Sequence, residues 1–534
     1  MNRRDAFKTI AGAAGVAAAG AFETSASFAS TPRQESDAAL TTPRDAIVKT
    51  SAGDVRGFKR GGVYTFRGIP YGADTSGPAR FLPPRPPAAW SGARWSLLYG
   101  PVCPQPPQEV HEVERSFVED SDPGRPGEDC LRANVWTPAL GPANKLPVIV
   151  WLHGGGFVSG SSQEHPAYDG ESTARKGAVF VSVNHRLGAL GFLDLSSIGG
   201  GFERSGNAGM LDLVLALEWT RDNIAAFGGD PSRVTIVGQS GGGGKVSTLM
   251  AMPAAHGLFH RAIVMSGSFP LVGRGPAPRQ IAEGIAGELG MKGLDGTALQ
   301  QVDAARLVSA GSAVTKRLGG FGGGFAPVVD GEIVSEDWAR SAPRISAGVP
   351  MIIGSVRDEF RPVGMSIAEN ALPGAVPERF KTRASEIVAA ARRAYPQLPP
   401  TELAAMLGGM WMRSLAVEQA RKKHALGGAS VYSYWFTWPT PLLDGAIGCP
   451  HGIDIAFLFD NVTLCDQLTG NTPEVHGISG TMNEALLAFA ATGNPSRANR
   501  EWRPYDPASV PTMVFDKQSA MALDPAGDVR RLME

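Results

Sequence analysis

Short runs of aliphatic and β-branched residues recur along the chain, and stretches with helical spacing lie between them. The runs that predict strands cover 147–152, 179–184, 234–237, 261–265, 350–354 and 430–438. They are continuous rather than alternating, which is typical of strands covered on both faces of a mostly parallel sheet. Between two of them, residues 210–225 repeat leucine, tryptophan and isoleucine near helical spacing. This alternation predicts an open α/β sheet flanked by helices.

The N-terminus has the features of an export signal. Arg3 and Arg4 precede an uncharged, Ala- and Gly-rich stretch at 9–22, and the small residues around Ala29 fit a cleavage site. A charged start, a short apolar region and a small-residue site are typical of a secretory signal peptide, and adjacent arginines resemble a twin-arginine signal. A frayed terminus that happens to begin with two arginines is the alternative. We expect a signal peptide at 1–29, a linker at 30–42 and one folded domain at 43–534 of a periplasmic or secreted protein.

Composition narrows the classes of function. The 534 residues include 50 Lys and Arg against 51 Asp and Glu, for a formal net charge of −1. This balance argues against a nucleic-acid partner, which would need a basic surplus. Apolar residues make up 43% of the chain and allow a large core, but no apolar run after the N-terminus approaches the length of a membrane span. Four cysteines in an oxidising compartment could form disulfides.

The pentapeptide at 238–242 predicts the chemistry. It reads Gly-Gln-Ser-Gly-Gly, follows the apolar run at 234–237 and precedes a helical segment. G-x-S-x-G in a strand–turn–helix context is the nucleophile elbow, in which small flanking residues allow a tight turn that exposes the serine. The helix that follows directs its positive N-terminal end at the site. We therefore expect Ser240 to be a nucleophile.

A phosphate-binding loop is the competing interpretation of the same stretch, because Lys245 follows a Gly-rich turn. That motif requires a glycine five positions before its second glycine and a serine or threonine after the lysine. Gln239 and Val246 occupy those two positions, so we do not expect Lys245 to bind phosphate.

A second glycine-rich loop supplies candidate donors for an oxyanion. His153 and three glycines follow the strand predicted at 147–152. Such HGGG-type loops bring bare backbone N–H groups close to a developing alkoxide. A plain glycine turn is the alternative.

The remaining partners of a serine nucleophile should follow in the order acid, then histidine. Asp358 and Glu359 come just after the strand predicted at 350–354, and the residues alone do not choose between them. Of the three later histidines, His451 lies in a tight loop before an apolar segment, and we expect it to be the base. His424 stands in a basic run and His476 in a polar loop, where exposed side chains are expected.

A metal site is not expected. His256 and His260 have the spacing of zinc ligands on a helix, but Pro253 and Gly257 disfavour a helix there and no nearby glutamate completes the motif. No cofactor is implied either.

The chain resembles the type-B carboxylesterases, the cholinesterase and carboxylesterase/lipase family of α/β-hydrolases, from about residue 48 to the C-terminal region. The matching stretches lie at 66–71, 128–131, 134–136, 153–157, 184–188, 227–231, 238–242 and His451. The resemblance implies an α/β-hydrolase fold, with a mostly parallel sheet flanked by helices and long loops over the active site. It also implies a serine carboxylesterase that acts on small-molecule esters through an acyl-enzyme, in an α/β-hydrolase domain at 43–534.

The resemblance also assigns roles to residues. It makes Ser240, Glu359 and His451 the triad, with Glu359 rather than Asp358 as the acid. It makes the N–H groups of Gly155, Gly156 and Gly241 the oxyanion hole. It pairs Cys103 with Cys130 in a disulfide, and it implies buried ion pairs between Arg80 and Glu128 and between Arg186 and Asp212. We expect Gln239 and Phe157 to face the substrate.

Two positions depart from the family pattern Gly-Glu-Ser-Ala-Gly. Gln239 replaces the glutamate and Gly241 the alanine. Since Gln239 removes a negative charge beside the nucleophile, we expect neutral esters to be preferred over cationic choline-type esters. A hydrolase of amides, carbamates or lactones with the same triad stays an alternative. A non-catalytic, adhesion-type member is a remote one, because it should lack the serine or the histidine. The oligomeric state is not indicated.

Overall fold

The structure is a computed structural model that describes residues 40–107, 124–269, 272–318, 324–360 and 366–534. The described residues belong to one compact unit, Leu40–Glu534. The predicted signal peptide at 1–29 and the linker up to residue 39 lie outside the described residues.

Strands in the described ranges form a large sheet and a small one. The large sheet has the order β14-β13-β12-β11-β10-β9-β7-β8-β6-β4-β3, and the small one the order β1-β2-β5. The strands are β1 (Ile47–Lys49), β2 (Asp54–Arg56), β3 (Phe58–Arg60), β4 (Val63–Pro70), β5 (Ala93–Trp95), β6 (Arg132–Thr137), β7 (Leu146–Leu152), β8 (Val179–Val183), β9 (Gly229–Gln239), β10 (Arg261–Met265), β11 (Met351–Val356), β12 (Val431–Phe436), β13 (Pro511–Phe515) and β14 (Ala520–Leu523).

The middle of the large sheet is parallel. Pairing from β8 through β7, β9, β10, β11 and β12 to β13 is parallel throughout, whereas the pairs at both edges are antiparallel. Along β7, Val148 and Val150 contribute to the hydrophobic core on one face, while Ile149 and Trp151 contribute to the core on the other. This two-sided burial explains why the strands read as continuous apolar runs, and it confirms the α/β sheet predicted from them.

Helices cover both faces of the sheet. The α-helices are α1 (Glu171–Arg175), α2 (Gly188–Phe192), α3 (Ala208–Asn223), α4 (Gly241–Leu249), α5 (Ala277–Glu288), α6 (Gly296–Gln300), α7 (Ala304–Leu318), α8 (Leu372–Ala375), α9 (Ala384–Ala394), α10 (Pro400–His424), α11 (Asp454–Leu458), α12 (Asp466–Thr469), α13 (Pro473–Thr492) and α14 (Gly527–Arg531). Apolar residues of α3 and α4 join the first core, and those of α11 and α13 join the second. Within the described ranges, none of the helices has the length and apolar character needed to cross a bilayer.

Both ion pairs implied by the resemblance are present. Arg80 Nη2 lies 2.6 Å from Glu128 Oε1, and Arg186 Nη2 lies 2.6 Å from Asp212 Oδ1. The second pair is fully buried, and the Arg186 guanidinium also donates to the Leu82 carbonyl at 2.8 Å. A buried pair of this kind needs such additional hydrogen bonds to offset its desolvation.

The predicted disulfide between Cys103 and Cys130 is absent from this structure, in which both residues are free thiols. The two side chains nevertheless contact each other, since a hydrogen bond from Cys103 and burial raise the pKa of Cys130 well above its usual value. Cys103 Sγ also accepts a hydrogen bond from the Leu187 N–H at 3.1 Å. The two sulfurs are therefore neighbours, as the resemblance implied, but no covalent bond joins them. Cys449 is a free thiol as well.

Candidate active site

Ser240 occupies a strained turn between β9 and α4. Its backbone has φ 57° and ψ −126°, a conformation that serine rarely adopts. A Cβ atom at Gly238 would collide with the backbone of Gly242, and one at Gly242 would collide with the Leu152 carbonyl. The glycines of the pentapeptide are thus required by close backbone approach, as expected for a nucleophile elbow. Ser240 itself is only half-buried, at the carboxyl end of the strand.

The glycine loop at 154–156 lies directly against the elbow. Gly155 and Gly156 both have positive φ, at 77° and 64°. A Cβ atom added at Gly241 would collide with the backbone of Gly156, so these two main-chain segments are in contact. The three glycines predicted to form an oxyanion hole are therefore neighbours beside Ser240.

Phe157, expected to line the substrate pocket, lies in the hydrophobic core instead. Its side chain is 0% exposed and packs edge-on against Phe192, with ring centroids 5.1 Å apart. Gly244 of α4 lies against the same ring. The structure therefore corrects the expectation, because the ring presents no surface to a bound molecule.

His451 is paired with Glu359. Its Nδ1 contacts Glu359 Oε2, and Ser266 Oγ donates to the other carboxylate oxygen at 2.8 Å. The Val356 N–H, 3.2 Å from Oε1, is a second donor to it. With Nδ1 donating to a carboxylate, the proton is on Nδ1 and Nε2 is left as an acceptor. His424 and His476 lie elsewhere, against Tyr505 and Asn471 respectively.

Asp358 has a different role from Glu359, although the two are adjacent. It forms a two-pronged ion pair with Arg357, at 2.6 and 2.9 Å. Its Oδ2 accepts from the Cys449 N–H at 2.8 Å, and its own N–H donates to the Cys449 carbonyl at 3.2 Å. Asp358 therefore ties down the loop that carries His451, while Glu359 contacts the imidazole.

Gln239 contacts the histidine rather than an open pocket. Its side-chain Nε2 lies 3.1 Å from His451 Nε2, so the amide donates to the unprotonated ring nitrogen. Only 4% of Gln239 is exposed. Among the described residues no hydrogen bond joins Ser240 Oγ to His451, and in this state Gln239 takes the position at which the serine would donate. Hydrogen bonds of a catalytic group are often completed only when substrate is bound.

Three further residues at this site were not found by sequence reasoning. Ser266 directly follows β10, the neighbour of the elbow strand, and holds Glu359. Asp454 is fully buried three residues after His451 and accepts from Tyr434 Oη at 2.7 Å; burial raises its pKa to about 7. Phe360 is 53% exposed and packs against His451, with ring centroids 4.3 Å apart and the rings tilted by 31°. Its place directly after a strand could have pointed to Ser266, whereas the sequence offered no comparable signal for Asp454 or Phe360.

Among the described residues, no group of three or more potential metal ligands is found. His260, half of the pair considered from its spacing, instead accepts from the Val234 N–H at 3.3 Å.

Comparison with known proteins identifies the family. The model of the carboxylesterase family matches residues 44–528, which is most of the chain. The chain belongs to the carboxylesterase family. It is 34% identical to para-nitrobenzyl esterase of Bacillus subtilis over 500 residues, covering 91% of this chain and 98% of the relative. It is also 34% identical to phenmedipham hydrolase of Pseudarthrobacter oxydans, covering 90% and 97%.

Solved structures agree with this assignment. An esterase of Clostridium hathewayi that hydrolyses aliphatic aromatic polyesters aligns with a TM-score of 0.81 and 34% identity, over 93% of this chain and 99% of that one. A para-nitrobenzyl esterase aligns with a TM-score of 0.74 and 31% identity, over 91% and 99%. This carboxylesterase therefore has the α/β-hydrolase fold and is a carboxylic ester hydrolase, as the sequence predicted.

Proposed function

We propose that this carboxylesterase cleaves esters with Ser240 as nucleophile, His451 as base and Glu359 as the acid that orients the base. The observation that carries the proposal is the contact of His451 with both sides of the site. Its Nδ1 is bound to Glu359, and its Nε2 lies 3.1 Å from the side chain of Gln239, the residue before Ser240. In the proposed mechanism, the Gln239 side chain moves aside so that Nε2 accepts from the serine hydroxyl.

The first half of the reaction forms an acyl-enzyme. His451 Nε2 accepts the proton of Ser240 Oγ as that oxygen attacks the ester carbonyl. The N–H groups of Gly155, Gly156 and Gly241 stabilise the oxyanion. The alcohol then leaves with the proton held by His451. Water repeats these steps on the acyl-enzyme and releases the acid.

Glu359 is suited to stabilise the imidazolium that forms during the reaction. It is 1% exposed, and its Oε1 is held by Ser266 Oγ and the Val356 N–H. Both donors fix the carboxylate so that its other oxygen faces Nδ1. A preorganised negative charge at this distance lowers the cost of charging the ring, and the effect is largest where water is excluded.

The substrates are proposed to be neutral esters rather than cationic ones. Gln239 is uncharged where the family has a glutamate, and the exposed Phe360 beside His451 gives an apolar surface for an acyl or alcohol group. The protein is further proposed to be exported, a proposal supported by the signal-like pattern at 1–29.

A fluorophosphonate probe tests the nucleophile. Wild type should be labelled once and should hydrolyse para-nitrophenyl acetate, whereas Ser240→Ala should lose both properties and keep its circular dichroism spectrum. Ser232→Ala is the matched control, because Ser232 is an exposed serine in β9, the strand that precedes Ser240; this variant should retain both properties. Ester turnover that persists in Ser240→Ala would overturn the proposal.

A further inference from the structure

Lys245 is a buried lysine that the reaction described above does not use. It lies in α4, five residues after Ser240, and its side chain is 0% exposed. Lysine is almost never fully buried unless its charge is compensated. Its ammonium donates hydrogen bonds to the main-chain carbonyls of His153 at 2.8 Å and Gly154 at 3.3 Å. The two acceptors are His153, which directly precedes the glycine loop, and Gly154, its first residue.

The surroundings of Lys245 are largely neutral. Burial lowers the pKa of Lys245 to about 7, and the charge of Glu164 opposes that effect. His153 and His185 stack on each other with ring centroids 5.1 Å apart, and burial lowers the pKa of both imidazoles well below the usual value. The ring of Phe157 has its centroid 5.9 Å from Nζ. With a pKa of about 7, Lys245 is only partly protonated near neutral pH, and it can donate to the two carbonyls in either form.

The peptide unit between Gly154 and Gly155 connects Lys245 to the oxyanion. The C=O of Gly154 and the N–H of Gly155 belong to one planar unit and point in opposite directions across it. Groups fixed on the carbonyl side, Lys245 Nζ at 3.3 Å and His153 Nδ1 at 3.1 Å, therefore together set the direction of the N–H on the other side. Glycine has more backbone freedom than any other residue, so a loop of three glycines depends on such external contacts for its orientation.

The same contact alters the strength of the donor. A hydrogen bond to a carbonyl polarises its peptide, and the N–H of that peptide becomes a better donor in turn. Groups fixed in advance around a developing negative charge stabilise the transition state more than the neutral substrate.

We propose that Lys245 is a positioning residue for ester hydrolysis, because its bonds to the carbonyls of His153 and Gly154 hold the Gly155 N–H toward the oxyanion. This inference rests on the proposed function. It assigns to the lysine a task other than phosphate binding, the alternative that its place in the glycine-rich stretch had raised.

The chain offers a matched control in Lys423. This lysine is also buried, at 2% exposure, and donates to a main-chain carbonyl, that of Ala347, at 2.8 Å. Burial lowers its pKa to about 8. It lies in α10, and its carbonyl partner is not part of the glycine loop. Lys245→Met and Lys423→Met therefore remove the same kind of buried ammonium from two different places.

The experiment compares kinetics and inhibitor binding in the purified full chain. With para-nitrophenyl acetate, Lys245→Met should lower kcat about tenfold or more and leave KM within about twofold, since loss of a direct oxyanion donor costs 10²- to 10³-fold. The inhibition constant of a trifluoromethyl ketone, which adds to the serine as a charged tetrahedral adduct, should rise by a similar factor. Lys423→Met should change neither value. Lys245→Gln keeps an amide donor and should recover part of the lost kcat.

Several outcomes would overturn the inference. A kcat within about twofold of wild type in Lys245→Met would do so, as would a raised KM with unchanged kcat. An equal loss in Lys423→Met would assign the effect to general destabilisation. If Lys245→Met does not fold, as judged by near-UV circular dichroism, Lys245→Gln decides alone, and its kcat must fall without a change in KM. Wild type that neither hydrolyses esters nor reacts with the fluorophosphonate would instead refute the proposed function, and this inference with it.

Discussion

Replacing Gln239 by glutamate tests how the site sets the protonation of its histidine. The amide nitrogen of Gln239 lies 3.1 Å from His451 Nε2, and Glu359 contacts the opposite ring nitrogen. Glutamate has nearly the same shape, so Gln239→Glu places a second carboxylate on the imidazole. Two negative carboxylates, one on each side of the ring, favour its cationic form. A cationic ring cannot accept the proton of Ser240, and the variant should therefore lose activity at pH values where wild type is still active.

The size of the effect follows from the geometry. Unit charges about 4–5 Å apart interact by about 3–4 kcal/mol at an effective dielectric constant of 20. At about 1.4 kcal/mol per pH unit, this corresponds to about two to three units. The His451 side chain is 16% exposed to solvent, so screening by water reduces this shift. We expect the acid limb of the pH profile of kcat/KM to move upward by about one to three units.

The assay measures kcat/KM for para-nitrophenyl acetate from pH 5 to pH 9 in wild type and in Gln239→Glu, with spontaneous hydrolysis subtracted. Gln518→Glu is the control, because it changes the net charge by the same amount at an exposed residue near the edge strand β14. Its acid limb should coincide with that of wild type. If the limb of Gln239→Glu also coincides with wild type, the contact between Gln239 and His451 does not exist in solution and the reasoning fails.

The remaining predictions concern the acid, the oxyanion loop and the thiols. Glu359→Gln should lower kcat/KM by roughly 10³- to 10⁴-fold because the imidazolium loses its counter-charge, and Asp358→Asn should be much milder; the reverse ranking would show that the acid is misassigned. Gly241→Ala should lower kcat about tenfold or more, although alanine is usual in the family, since its Cβ would displace Gly156; an unchanged kcat would show that the loop adjusts freely. Non-reducing peptide mapping should find Cys103 and Cys130 as two buried thiols without a bond between them, and a linked pair would contradict the structure.

The sequence predicted the sheet well because burial on both faces leaves a strong apolar signal. The strand predicted at 234–237 is one example, yet β9 runs from Gly229 to Gln239. Its polar first half is a strand because Leu146 of β7 pairs with Gly229, with an irregularity before Val148. Pairing between distant segments thus extends strands beyond their apolar residues, and local patterns cannot contain that information.

The active site, like the sheet, could be predicted only in part from the sequence. Ser240 and the glycines around it were predictable, because a tight turn and close backbone contacts require small residues at fixed spacing. Phe157 was not, since an aromatic residue after a glycine loop has the same pattern whether it points at substrate or at Phe192. The contact of Gln239 with His451 joins residues 212 positions apart and depends on one side-chain conformation. Such a contact exists only once the fold has brought the two loops together.

The polar groups around Ser240 match the separation of charge that the proposed reaction requires. The reaction separates charge, with a negative oxyanion forming beside Gly155 and a positive imidazolium forming at His451. Lys245 donates to the oxyanion loop from behind, and Glu359 contacts the far side of the imidazole, so a hydrogen-bond donor supports the oxyanion side and a carboxylate faces the positive charge that develops. A carboxylate at position 239 would lie between the two and would oppose the oxyanion while favouring the imidazolium in the resting state. The neutral Gln239 removes that conflict, and this is the physical reason why its replacement and that of Lys245 should affect the reaction through different steps: the first through the protonation of the base, the second through the oxyanion alone.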